Sequence, residues 1–180
     1  MKSPAASALP VITFACLGLS GCMIDPPAVP APPAIAAPAG QVLKLEALAS
    51  GVQIYECRNT GGSPSQFAWT LKAPEADLYN ADGTQVARHY AGPTWEAPDG
   101  SKVVGEVKDK SPSPDNKAIP WLLLSATSHS GKGVFAQTAS IQRLYTKGGL
   151  APTDGCDPGH VNKTVQVPYT ATYKFFNAQQ

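Results

Sequence analysis

Val165-Gln166-Val167-Pro168-Tyr169-Thr170-Ala171-Thr172-Tyr173-Lys174-Phe175-Phe176 repeats with a period of two. Val165, Val167, Tyr169, Ala171, Tyr173 and Phe175 fall on one side, and Gln166, Pro168, Thr170, Thr172, Lys174 and Phe176 on the other. Successive side chains of a strand point to opposite faces, so this spacing predicts a long strand with one face in a core. Pro168 lacks the N–H that a ladder needs and places this strand at an edge or a bulge.

The same reading extends towards the N-terminus. Gly51-Val52-Gln53-Ile54-Tyr55-Glu56-Cys57 alternates as a strand, and Phe67–Leu71 reads as another. Asn80-Ala81-Asp82-Gly83 lies between Ala76–Tyr79 and Thr84–His89 and predicts a hairpin. Ala97-Pro98-Asp99-Gly100 joins Thr94–Glu96 to Ser101–Val107 in the same way. Lys108–Lys117 is polar and Pro-broken and reads as a loop. Pro120-Trp121-Leu122-Leu123-Leu124 is a continuous apolar run that suits a strand buried on both faces. Gly131-Lys132-Gly133 turns the chain, and Phe135–Tyr145 is a longer strand. Val42–Leu48 suits a short strand or one helical turn. No stretch shows a helical period. The class is all-β, an antiparallel sandwich or barrel of about eight or nine strands.

The N-terminus has a different character. Lys2 precedes an apolar run from about Leu9 to Leu19, which is too short to span a bilayer. It closes on Leu19-Ser20-Gly21-Cys22. This order resembles the lipobox of bacterial lipoproteins, in which the chain is cut before the cysteine and the cysteine is acylated. An ordinary secretory signal with a later cut is the rival reading. Several acyl chains on Cys22 would suffice for stable anchoring. Met23 follows, not the aspartate associated with inner-membrane retention, so in a Gram-negative host the resemblance implies the outer membrane. Residues 1–21 are then a signal peptide. Residues 22–40 are the anchor site and a Pro/Ala-rich tether, and residues 41–180 are one all-β domain. The tether reads as an extended spacer, holding the domain up to roughly 50 Å from the bilayer at about 3.1 Å per residue.

The precursor carries 14 basic and 13 acidic side chains. Lys2 leaves with the signal, so the mature chain is balanced. That balance gives no electrostatic reason to expect nucleic acid. Cys16 lies in the signal, and Cys22 is the lipidation site. Cys57 and Cys156 remain as an even pair in an oxidising compartment, and a disulfide between them is expected. The alternatives, a metal thiolate pair or a reactive thiol, lack a CxxC spacing or a neighbouring His.

Several phrases carry a further resemblance: Gly51–Cys57, His89-Tyr90-Ala91-Gly92-Pro93-Thr94-Trp95, Asp99-Gly100-Ser101, Pro120-Trp121-Leu122, Ile141-Gln142-Arg143 and Val167–Tyr173. Together they resemble the family called domain of unknown function 3455, over roughly residues 51–176. The resemblance implies one domain in a secreted setting. It supplies no catalytic residues.

Catalytic signatures such as GxSxG, HExxH, a Walker loop or GxGxxG are absent from the sequence. Asp154 and Asp157, around Gly155-Cys156, are a weak calcium signal and fit a solvated turn better. His89, His129 and His160 lack metal-ligand spacing, and no metal or cofactor is expected. Ser128 and Ser130 flank His129 but would point away from it in a strand. The segment richest in chemistry is Arg88-His89-Tyr90-Ala91-Gly92-Pro93-Thr94-Trp95-Glu96. An indole, an imidazole, a guanidinium and a carboxylate around a Gly-Pro bend suit a saccharide or other small ligand, with Arg88, His89, Trp95 and Glu96 as contacts. That reading requires Trp95 to offer a ring face to solvent. The other reading, which is preferred, puts Trp95 in the core and bonds His89 to backbone. Trp69 and Trp121 sit in apolar patterns and read as core. The leading expectation is a lipid-anchored binding or envelope-associated module, held to the membrane through Cys22 and leaning away from enzyme. A hydrolase of envelope or extracellular polymer using His89 and Glu96 is the second reading, and a purely structural surface protein the third. The oligomeric state is open.

Overall fold

The computed structural model describes residues 29–62 and 65–179. The described residues form eight strands: β1 (Gln41–Gly61), β2 (Gln66–Tyr79), β3 (Gln85–Tyr90), β4 (Thr94–Glu96), β5 (Lys102–Ser111), β6 (Trp121–Ser130), β7 (Thr138–Gly148) and β8 (Thr164–Ala178). Each pairs antiparallel with the next, and β8 returns to β1, so the sheet is a closed barrel. Closure decides between the two architectures left open by the sequence.

The period-two stripe of β8 explains why the sheet closes. Tyr169, Ala171, Tyr173 and Phe175 are all buried. Across the β1–β8 ladder, Tyr173 faces Ala47, Ala171 faces Ala49, and Tyr169 faces Gly51. Large side chains on one strand meet small ones on the next, which lets a narrow barrel fill without voids. Ala76 and Ala87 continue the small inner surface on β2 and β3, with Leu78 buried between them. Gly51 is required on packing grounds, because a Cβ there would lie 2.1 Å from the Glu75 carbonyl oxygen. The outer face carries ion pairs such as Lys174 with Glu46 and Lys72 with Glu56. An apolar interior with charges outside is the reverse of the membrane-barrel pattern.

The turns follow their chemistry. Gly83 and Gly100 hold φ of 85° and 81° at the two expected hairpin turns. The Asp99-Gly100-Ser101 phrase is a clamp. The Asp99 carboxylate accepts from the Ser101 N–H at 2.8 Å and from the Val134 N–H at 2.9 Å. The Phe135 N–H donates to Ser101 Oγ. These bonds pin the β6–β7 loop to the β4–β5 turn and bury Phe135 against Phe175.

Cys57 and Cys156 are bonded, with Cα atoms 5.3 Å apart. The bond ties the β7–β8 loop to the end of β1, where the Asn162 N–H also donates to the Cys57 carbonyl.

Several expectations are corrected. Residues 42–48 and 51–57 form one continuous strand. β5 runs through Ser111, so its last residues are not loop. Phe135 lies before β7, not within it. Trp69 is only half-buried, and its N–H donates to the Asp154 carbonyl at 2.7 Å. Pro168 lies on a strand paired on both sides, but just past Gly148–Tyr169, the last β7–β8 pair. Its missing donor therefore sits where the β7 ladder has ended.

The largest departure is in the tether. Pro33–Ile35 forms a 3-10 turn, and Ile35 is fully buried. It packs with Trp121 of β6 and Leu144 of β7, alongside Leu123 and Tyr145. Leu124 of β6 packs in the barrel interior, so Trp121 and Leu123 belong to a second, separate apolar cluster on the outer wall. Gln142 Nε2 donates to the Ile35 carbonyl at 2.6 Å. Ser140 Oγ donates to the Gln41 side chain beside it. Part of the Pro/Ala segment is thus a strap on the barrel wall. Cys22 lies outside the described residues.

Candidate functional site

The β3–β4 hairpin holds the four residues marked by the sequence, and its register sorts them. Arg88 pairs with Glu96, and His89 with Trp95. Neighbouring positions on a strand point to opposite faces. His89 and Trp95 therefore go inward together, while Arg88 and Glu96 go outward together.

The inward pair is core. Trp95 is 1% exposed and His89 is 3% exposed. Their rings stack at 4.3 Å with 7° between planes. Tyr173 meets both edge-on, at 5.2 Å from His89 and 5.5 Å from Trp95, and Phe175 meets Trp95 at 5.9 Å. Trp95 offers no ring face to solvent, so it cannot be a stacking platform for a ligand. His89 Nδ1 lies 2.9 Å from the Thr94 carbonyl oxygen, so that nitrogen carries the proton. Burial lowers the His89 pKa to about 3, with the Arg143 charge adding to the effect and the Thr94 bond opposing it. The ring is a neutral structural group at ordinary pH.

The outward pair borders a concavity of about 970 Å³ on the β1–β4 wall. Ser50, Val52 and Ile54 of β1, Glu75 and Asp77 of β2, Arg88 and Tyr90 of β3, Glu96 of β4 and Gln166 of β8 line it. Their outward aim follows from alternation with the buried Ala49, Gln53, Ala76, Leu78, Ala87 and His89.

Polar groups here are placed by one another. The Tyr90 hydroxyl donates to Glu96 Oε2 at 2.8 Å, and Lys102 Nζ lies 3.2 Å from Glu96 Oε1. These two contacts hold the Glu96 carboxyl below its usual range, the Tyr90 bond having the larger effect. The same bond raises the Tyr90 phenol. Arg88 Nε lies 3.7 Å from Asp77 Oδ1, which also accepts from Gln85 Nε2 at 2.7 Å. The wall thus offers carboxylate acceptors, a guanidinium donor and a phenol side by side, which suits a ligand rich in hydroxyls.

An acid–base pair of His89 and Glu96 does not form, because the barrel wall lies between their faces. His129 Nε2 is bonded to the Thr138 carbonyl at 2.7 Å. Asp157 accepts from the Gly159 N–H and lies 2.8 Å from His160 Nδ1, which uses its carboxylate in the turn. Among the described residues no three His, Cys, Asp or Glu side chains gather as a metal site would need.

Glu75, Asp77, Tyr90 and Lys102 were not singled out as site residues by sequence reasoning. The signal for Asp77 was present, since the hairpin at residues 80–83 sets Asp77 opposite Arg88. The signal for Glu75 and Ser50 was not, because it depends on how β1 wraps against β2.

No curated protein and no solved structure matches the chain. A family model described as a protein of unknown function, DUF3455, matches residues 38–177, from just past the strap through almost all of β8. The chain belongs to that family.

Proposed function

We propose that this protein is a lipid-anchored module of the cell envelope that binds a saccharide in the outer concavity of its β1–β4 wall. The observation that carries the reading is the concavity itself: about 970 Å³ of polar-rimmed space with Arg88, Tyr90, Glu96 and Asp77 on adjacent strands. Cross-strand side chains stand about 5 Å apart. Donors and acceptors at that spacing can meet neighbouring hydroxyls of a sugar. The lipobox-like Leu19-Ser20-Gly21-Cys22 supports an envelope location. The hydrolase reading built on His89 and Glu96 loses its relay to the intervening wall.

Titration calorimetry against soluble peptidoglycan fragments and neutral and acidic oligosaccharides tests the binding. Glu96→Gln and Arg88→Ala should each weaken it without moving the unfolding midpoint. A panel with no binder, or a binder indifferent to both changes, removes the site. Cys22→Ala tests the anchor separately. It should release the protein from membranes or leave unprocessed precursor.

A further inference from the structure

The closed ring puts the β6–β7 wall directly across from β2–β3. The strap Ala31–Ile35 lies on the former, sealed by Trp121, Leu144 and the Gln142–Ile35 bond. The concavity lies on the latter, around Glu75 and Arg88. Ala31, where the strap begins, therefore sits on the wall opposite the concavity.

Chain length gives this placement a consequence. From Cys22 to Ala31 there are 9 residue steps, and from Cys22 to Gln41 there are 19. At no more than about 3.6 Å per step, these span at most about 32 Å and about 68 Å. Eight strands about 4.8 Å apart and tilted by about 40° give a backbone diameter of about 16 Å. With outward side chains, half the circumference is on the order of 40 Å. A leash that starts at the strap is too short to pass round the barrel. A leash that starts at β1 is long enough.

We propose that Ala31–Ile35 is an orienting latch that holds the β6–β7 wall towards the bilayer and turns the β1–β4 concavity away from it. The ligand of that concavity is then a component of the aqueous envelope space, not a lipid headgroup. This rests on acylation of Cys22 and on the concavity being the binding site.

The test uses the full lipidated protein in vesicles containing an acceptor-labelled lipid. Donor dyes are placed at Glu75→Cys on β2 or Lys147→Cys on β7, both exposed positions. Energy transfer to the bilayer should be stronger from position 147 than from position 75. Ile35→Asp sets a carboxylate against Trp121 and Leu144 and should abolish the difference while the protein still sediments with vesicles. Gln142→Ala should reduce it, giving a second reading if Ile35→Asp unfolds the wall. Equal transfer from both positions in vesicle-bound parent protein overturns the latch. So does a difference that survives Ile35→Asp in protein with the parent unfolding midpoint. Parent protein that fails to sediment with vesicles overturns the anchor, and the orientation with it. The saccharide reading is scored separately, by calorimetry on unlabelled parent, Glu96→Gln and Arg88→Ala protein, and does not depend on these signals.

Discussion

The two faces of the β3–β4 hairpin are built from alternate residues of the same short strands, yet they do opposite work. On the inner face, His89 and Trp95 stack within a cage of Tyr173 and Phe175 and see almost no water. On the outer face, Arg88 reaches Asp77, and Tyr90 and Lys102 both reach Glu96, beside the open concavity. One step along the chain separates a structural imidazole from an outward-facing guanidinium. A group's chemistry here is decided by the side of the wall it occupies, because desolvation neutralises His89 while solvent and partners keep Glu96 charged.

Substitution at Trp95 breaks the comparison most strongly. Trp95→Ala empties the centre of the aromatic cage and should cost about 3–5 kcal/mol, as deletion of a buried aromatic does. Thermal or denaturant unfolding reads this directly. A midpoint close to the parent would mean that the indole is not core.

Acid sharpens it next. The His89 pKa falls from 6.5 in the unfolded chain to about 3 in the folded one. The unfolded state therefore binds a proton that the folded state refuses. The stability this group permits is fully present above pH 6.5 and is lost as pH falls towards 3, at about 1.4 kcal/mol per pH unit. Denaturant unfolding between pH 7 and pH 4.5 should show the decline, and His89→Phe should flatten it. An unchanged slope in that variant would place the acid sensitivity elsewhere.

A gentler probe is Gly105 on β5. A Cβ there would stand 3.1 Å from Trp95 Cζ3 and 3.4 Å from Leu124 Cβ. Gly105→Ala should cost about 1–3 kcal/mol through overpacking. The near-ultraviolet signal of Trp95 should change with it.

The smallest effect belongs to the outer face. Glu96→Gln keeps the shape and removes the charge held by Tyr90 and Lys102. It should leave the unfolding midpoint near the parent value and act on ligand affinity alone. A large loss of stability would mean that the rim is a structural network.

Much of the fold was legible residue by residue. The β8 stripe, the two Asx-Gly hairpin turns and the Cys57–Cys156 pair all follow from local rules: alternation, positive φ at Gly, and an even thiol pair in an oxidising setting. The strap was not legible, because Ala31–Ile35 has the composition of a spacer. Its burial depends on a hollow made by Trp121 and Leu144 on strands far along the chain. The candidate site was half legible. Its residue types stood out at positions 88–96, but a single segment carried both faces, and the reading joined groups that the wall keeps apart.

The sequence by itself determined the all-β class, the turns, the inward face of β8 and the partner of each domain cysteine, because these depend on neighbours one to a few residues away or on pairing by count. Only the tertiary structure decided that the sheet closes, that Trp95 lies inside while Glu96 lies outside, and that the strap and the concavity sit on opposite walls. Those outcomes rest on which strands meet and in what register. The energy that selects them comes from fitting large side chains of β8 against small ones of β1, over separations of more than a hundred residues, which no local pattern encodes.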